Sequence, residues 1–248
     1  MEWSDDAIVL SVRAHGETGA IVEALTREHG RHLGLVRGGV SRRFKPVLQP
    51  GNSLKVEWRA RLSEHLGSFT AELETARAGG LMDRRDALIG LNALTATASA
   101  ALPEREAHAP VFAVAEILLD AMAEDGLAHW GPLFVRWEAG LLDALGFGLD
   151  LSHCAATGST DDLIYVSPRS GRAVSGEAGA PYAERMFALP GFLLGSQNTD
   201  VTAAAIASGL RLTGHFLLER VLRPHGKDLP PARLRLDALA AESDKASA

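Results

Sequence analysis

The stretch "RGGVSRRFKPVLQPG", residues 37–51, sets Arg37, Arg42, Arg43 and Lys45 among Gly38, Gly39, Pro46, Pro50 and Gly51. Cations on such a segment can neutralise phosphate oxygens and release the counterions condensed on a nucleic acid. Phe44 lies between Arg43 and Lys45, so it is expected to be exposed, as a platform on which a base could stack. The cluster extends beyond the loop. Residues 27–61 carry nine cations, Arg27, Arg31, Arg37, Arg42, Arg43, Lys45, Lys55, Arg59 and Arg61, against two anions, Glu28 and Glu57. That is +7 inside a chain of formal net charge −6. A polyanion responds to the local field rather than to the total. On charge alone, a solvated basic face with no partner explains the run equally well.

The other candidates for chemistry are weaker. His153 and Cys154 are adjacent, but a tetrahedral zinc site needs four ligands at paired spacings, and no second pair follows. A cysteine nucleophile needs a base and an oxyanion site, and the sequence names neither, so a small half-buried thiol is the favoured reading. Ser175 in "GRAVSGEAG" fails the nucleophile elbow because Ala173 stands where glycine is needed. "GFGLDL" (146–151) lacks the third glycine of a dinucleotide fingerprint. No P-loop is present. His225 and Lys227 follow a helix C-terminus, where cations are favourable without further purpose. Nothing here argues for an enzyme.

Short strands must position the basic loop. Residues 7–16, 31–39, 53–62 and 67–76 alternate or nearly alternate, and 20–30 is ambiguous between strand and helix. In 53–62, Leu54, Val56 and Trp58 alternate with Lys55, Glu57 and Arg59, so Trp58 is expected inside. Five strands in about 75 residues suggest a small barrel, with the five-stranded OB fold the commonest fit. The basic loop then joins the third and fourth strands and is expected to be unordered until a partner arrives. Near Gly79-Gly80 the period changes to helical. Apolar stripes run through 88–102, 108–126, 131–148 and 199–226, with Pro110 and Pro132 at starts and Gly126, Gly146 and Gly226 at ends. Thr199 or Asp200 is the expected N-cap of the last of these. Between them, residues 151–181 are too long for a featureless loop. The tail after Leu239 reads as frayed. The expected division is 1–79 for the barrel, 80–240 for the helical domain and 241–248 for a flexible tail.

The totals agree with a soluble, cytoplasmic chain. Its 248 residues suffice for one large core or two small domains. A single cysteine excludes an intramolecular disulfide framework and fits a reducing compartment. No apolar run is long enough to span a membrane, and the acidic start "MEWSDDAIVL" lacks the basic region of a signal peptide.

Three passages together resemble the bacterial RecO family of recombination mediators. They are "GRHLGLVRGGVSRR" followed by "LQPGNSLKVEW", then "RWEAGLLDALGFGLDLSHCAATG", then "LERVLRPHGKDLPPARL". The resemblance implies an α+β architecture: an N-terminal five-stranded OB barrel, then an α-helical domain with an inserted zinc-finger-like segment at 151–181. It implies binding of single- and double-stranded DNA, strand annealing, and cooperation with RecR to load RecA onto strands covered by single-strand-binding protein (SSB). The family's zinc is held by two Cys pairs. Here Cys154 matches one position, while Thr157, Ser175 and Ala178 stand at the others, so the insert is degenerate and no metal or other cofactor is expected. The family also holds the acidic C-terminal tail of SSB in an apolar groove with basic residues, and Arg136 is the matching arginine of "RWEAGLL". The alternative for Arg136 is a surface pair with an acid of its own helix, such as Asp143.

The reading is a non-enzymatic DNA-binding mediator, cytoplasmic and nucleoid-associated, with DNA, RecR and the SSB tail as partners and no membrane. Arg37, Arg42, Arg43 and Lys45 are the first choices for phosphate contact; Arg31, Lys55, Arg59 and Arg61 are the second. The rivals are an OB-fold RNA- or tRNA-binding module, an enzyme using 151–181, and a purely structural interaction protein.

Overall fold

Alternating strands close a barrel in the first 75 residues. In the computed structural model, which describes residues 1–62, 64–195 and 201–247, the strands are β1 (Glu2–His15), β2 (Gly19–Thr26), β3 (Gly30–Val36), β4 (Ser53–Arg59) and β5 (Ser68–Thr75). They pair in the order β1-β2-β3-β5-β4, and β4 returns antiparallel to β1. The β3–β5 contact is parallel, at Leu35 and Ser68. This is the five-stranded OB barrel expected from the strand count. The inward set is Ala7, Val9, Val22, Ala24, Leu54, Val56, Trp58 and Phe69. Trp58 is 2% exposed, as its alternation predicts. The ambiguous 20–30 stretch is strand: β2 pairs with β1 on one side and β3 on the other, and that pairing overrides the helix preference of Ala and Glu.

Strand β1 is buried on both faces. Ala7 and Val9 point into the barrel, while Ile8 and Leu10 are also buried. Helix α2 (Arg85–Ala101) packs on β1, and α3 (Ala109–Glu124) packs on β2 and on α2. A short α1 (Ala78–Met82) leads into them. Gly79-Gly80 therefore marks the change from strands to helices, while the first compact unit runs on from Met1 to Glu124.

The second unit is Asp125–Ala248. It begins with α4 (Leu127–Ala144), five residues before the Pro132 that the sequence offers as a start. Gly126 has φ −74 and ψ −179 and is the extended N-cap of α4, not a left-handed stop for α3. The stop at Gly146 is real. It has φ +81, its amide donates to Asp143 O, and the next amide donates to Leu142 O, the paired bonds of a Schellman cap. Residues 151–181 belong to a three-stranded sheet, β7-β6-β8. Its strands are β6 (Leu163–Val166), β7 (Ala173–Ser175) and β8 (Phe187–Ala188), with the short α5 (Gly176–Gly179) between the last two. Its third strand lies beyond residue 181.

Thr199 and Asp200 lie outside the described residues. Helix α6 (Ala203–Phe216) is capped by Thr202, whose hydroxyl accepts from the Ala205 amide at 3.1 Å. The chain then widens into a π turn over Leu217–Leu222 and stops at Gly226, φ +67. Helix α7 (Pro231–Ser247) continues through the stretch expected to fray. Ala, Glu and Lys are strong helix formers, and Leu236, Leu239 and Ala240 are buried.

Candidate nucleic-acid interface

The basic segment joins β3 to β4 and is folded. After Gly38, φ +69, the Ser41 amide donates to Gly38 O, those of Phe44 and Lys45 to Ser41 O, and that of Leu48 to Phe44 O. Leu48 is 3% exposed and belongs to the barrel core, with Phe44 and Val47 packed against it. This corrects two expectations. The loop is turned and anchored, and Phe44 is partly buried under Arg43, whose guanidinium lies 5.7 Å from the ring centre. Apolar positions 44, 47 and 48 recur at helical spacing, and that placed one side of the segment on the barrel.

Asn52 fixes the exit of the segment. It is 1% exposed, and every polar atom of its side chain is used. Nδ2 donates to Pro46 O at 2.9 Å and Val47 O at 3.0 Å. Oδ1 accepts from the amides of Arg77 and Ala78, both at 3.0 Å. One side chain thus ties the basic segment to the start of α1. Gly51, φ +87, lies against Leu91 of α2, where a Cβ would come within 2.7 Å. Sequence reasoning missed Asn52, whose position between a glycine and a strand is the only local signal.

The structure divides the nine cations of residues 27–61. Arg37, Arg42, Arg43 and Lys45 are exposed and form no ion pair among the described residues. Arg61 is likewise exposed and unpaired there. The remaining second choices are engaged. Arg31, 13% exposed at its side chain, pairs with Glu23 at 2.7 Å and donates to Leu102 O at 2.8 Å. Lys55 pairs with Asp6 at 2.6 Å, and Arg59 with Glu2 at 2.6 Å. The Lys55 ammonium holds the Asp6 carboxyl below the usual carboxylate range, and Asp6 raises the lysine in turn. Arg27 reaches Asp6 and Glu116 and lies over Phe112. The +7 of the window is therefore partly neutralised by carboxylates from outside it.

Beside Lys45 lies a cavity of about 390 Å³. Val12, Ala14 and Ala20 line it from the hairpin, Val40, Lys45 and Leu48 from the basic segment. Val12 and Val40 are apolar yet 36% and 45% exposed. Apolar side chains next to the Lys45 ammonium suit a base in the cavity and a phosphate alongside.

In the second unit, Arg136 stands on α4 at the edge of another cavity, of about 550 Å³, with Ala139, Gly140, Leu149, Leu151 and Leu193. Its Nε and Nη2 both donate to Phe192 O, at 3.0 and 2.7 Å. Asp143 also lines the cavity but makes no ion pair with Arg136. The Phe192 carbonyl thus fixes the Nε–Nη2 edge of the guanidinium.

Two family profiles match the chain: "Recombination protein O N terminal" over residues 1–77 and "Recombination protein O C terminal" over residues 82–229. The chain belongs to the RecO family. Proteins named DNA repair protein RecO match along nearly the whole chain. That of Rhodospirillum rubrum is 53% identical over 238 residues, 95% of this chain and 94% of the relative. That of Caulobacter vibrioides is 52% identical over 245 residues, 99% and 100%. That of Xanthobacter autotrophicus is 53% identical over 233 residues, 94% of each.

RecO membership raises the question of zinc. The structure brings three of the four relevant positions together. Cys154 is 1% exposed, and its sulfur lies 3.3 Å from the Ser175 hydroxyl and accepts from the Ser175 amide at 3.3 Å. The Thr157 hydroxyl is a further partner. The Ser175 hydroxyl first, then Thr157 and the Ser175 amide, pull the thiol down from its ordinary 9.0 to about 6. One sulfur and two neutral hydroxyls do not make a tetrahedral zinc site. Among the described residues no three His, Cys, Asp or Glu side chains gather as metal ligands would, and no helix is long and apolar enough to cross a membrane.

Proposed function

We propose that this chain is a DNA-binding mediator of recombinational repair that works by binding and displacement rather than by bond chemistry. The observation that carries the proposal is the set of exposed, unpaired cations Arg37, Arg42, Arg43 and Lys45 on one segment of an OB barrel of the RecO family, with a cavity beside Lys45. Phosphates lie along these cations, and a base reaches the apolar side chains of the cavity beside Lys45. Binding two strands on one such face would bring complementary sequences together for annealing. Family membership supports cooperation with RecR in loading RecA, and a cytoplasmic, nucleoid-associated place of work. The donor set around Cys154 supports a protein without structural zinc, its small sheet held by packing and hydrogen bonds.

The cavity beside Arg136 is proposed for the SSB tail. A guanidinium aligned by Phe192 O takes the terminal carboxylate, and Leu149, Leu151 and Leu193 take the last apolar side chain.

The test is a salt series of binding to matched single-stranded and duplex DNA, with RNA as competitor. The joint substitution of Arg42, Arg43 and Lys45 by Ala should flatten the dependence of log affinity on log salt by about 2 on single strands and about 3 on duplex. A slope equal to the parent's excludes these contacts. Preferential capture by matched RNA would favour the RNA-binding module instead.

A further inference from the structure

At the start of β1 a second cavity, of about 400 Å³, opens at the barrel surface. Trp3, His29, His32, Trp58 and Arg105 line it, with Met1 at its edge. Its volume is that of a small-molecule site. Three rings are stacked in a ladder: His29 on Trp3 at 4.0 Å and 5°, and Trp3 on Trp58 at 5.6 Å and 17°. His32 stands edge-on to both tryptophans, at 5.1 and 4.8 Å. Glu2, also at the rim, is occupied by Arg59.

The polar parts of this cavity are held in place. Asp5, 5% exposed, accepts from His29 Nδ1 at 2.8 Å and from the amides of Glu28 and His29 at 2.8 and 3.2 Å, which fixes the outer ring of the ladder. His32 is 3% exposed. Its Nδ1 donates to Leu33 O at 3.1 Å, so Nε2 is an acceptor without a partner among the described residues. Burial lowers the pKa of this imidazole and so favours the neutral ring that carries the acceptor. Arg105 is a non-glycine residue at φ +63. Its amide donates to Arg31 O at 2.9 Å and its Nη2 to His65 O at 3.1 Å. Gly30, φ +67, lets this segment close on β3, since a Cβ there would meet Glu106 O at 1.9 Å. The strained backbone is thus pinned with Arg105 at the wall of the cavity.

We infer that this cavity holds one unstacked base of a nucleic-acid single strand, with the partly exposed His29 ring, backed by Trp3 and Trp58, against the base, His32 Nε2 accepting from an exocyclic amine or ring N–H, and Arg105 taking a base carbonyl or the adjoining phosphate. The inference rests on the DNA-binding reading and adds a strand preference to it. Bases in a duplex are paired and stacked, so they cannot enter, whereas a single strand offers them freely. No part of the basic 37–51 segment is needed for this contact.

The experiment compares full-length parent, Trp3→Ala and His32→Phe for binding to an oligothymidylate, a mixed-sequence single strand and a duplex, with circular dichroism as the check on folding. The parent is also photocrosslinked to a 5-iodouracil single strand. Trp3→Ala removes the ring that backs His29 and should lower single-strand affinity by up to the roughly five- to hundred-fold of one stacked base, with duplex affinity kept. His32→Phe keeps an aromatic ring, removes the acceptor, and should lose less. The crosslink should fall on Trp3 or His29. Equal single-strand affinity in a folded Trp3→Ala or His32→Phe overturns the slot, as does a crosslink confined to residues 37–51, while the wider DNA reading stands. A misfolded Trp3→Ala leaves the decision to His32→Phe and the crosslink. A parent that binds no single strand overturns both readings.

Discussion

Replacing Arg233 by Met should destabilise the second unit by about 3–5 kcal/mol. Arg233 on α7 and Glu138 on α4 are each 0% exposed. Nε donates to Glu138 Oε1 at 2.6 Å and Nη2 to Oε2 at 3.0 Å. The same Nη2 donates to Leu210 O of α6 at 2.7 Å, and Nη1 bonds Asp237. Thr213 of α6 adds its hydroxyl to Glu138 Oε2. Three helices therefore meet on one ion pair. Burial alone would lower the arginine pKa, but the Glu138 carboxylate and then Asp237 outweigh it, so the guanidinium stays charged. Met fills part of the space yet leaves a carboxylate desolvated, with Thr213 as its one remaining partner among the described residues. That cost is a large share of an ordinary total stability of about 5–15 kcal/mol. The double variant Glu138→Leu/Arg233→Met removes both charges and should recover most of the loss, because an apolar replacement of a buried pair is often neutral. Urea unfolding followed by the fluorescence of Trp130 and Trp137, both buried on α4, measures it. A loss below about 1 kcal/mol in the single variant, or no recovery in the double, would refute the reasoning.

Three further outcomes are expected. Asn52→Ala strands two carbonyls and two amides; it should cost about 1–3 kcal/mol or more and expose Arg42 and Arg43 to trypsin at low protease, and an unchanged cleavage pattern would count against the anchor. Arg136→Ala should abolish binding of a peptide with the SSB tail sequence, measured by fluorescence anisotropy, and leave DNA affinity as in the parent. The thiolate absorbance of Cys154 should titrate with a midpoint near 6. Because this pKa is depressed on folding, the associated stability is fully present above the ordinary thiol value and disappears as pH falls through about 6; Cys154→Ser should remove that pH dependence, and a midpoint near 9 would contradict the hydrogen bonding described.

What the sequence made legible was local. Period-2 alternation exposed the barrel strands and placed Trp58 inside, and glycine and proline marked most helix ends. Gly126 misled because one glycine serves either as a left-handed stop or as an extended N-cap, and the backbone angle alone decides. Phe44 misled because its charged neighbours suggested exposure, whereas its spacing to Val47 and Leu48 set it on the barrel. The terminal helix carries few apolar residues after Ala240, so periodicity fails there and helix propensity takes over. Contacts across long separations left no local trace. Glu138 meets Arg233 across 95 residues, and Arg31 is used up by Glu23 and Leu102 O. The ladder of Trp3, His29 and Trp58 draws on β1, the β2–β3 turn and β4, and no window of sequence contains it.

The same long-range pairing changes the expected electrostatics of DNA binding. Taken at face value, nine cations in residues 27–61 would give a duplex salt slope of about −8. Four of them, Arg27, Arg31, Lys55 and Arg59, are held by Asp6, Glu116, Glu23 and Glu2. A cation that gives up a carboxylate to meet a phosphate exchanges one anion for another and gains little. Arg37, Arg42, Arg43, Lys45 and Arg61 remain, which predicts a slope of about −4.5 on duplex and about −3.5 on single strands. Arg31→Ala should then lower stability and leave the slope unchanged, whereas Arg43→Ala should reduce it by about one contact at little cost in stability. Titrations between low and moderate salt decide between the two totals. A duplex slope near −8 would mean that the ion pairs open on DNA and that the carboxylates of β1 and β2 act as displaceable stand-ins for phosphate. A slope near −4.5 would mean that they instead confine the polyanion to one edge of an otherwise acidic chain.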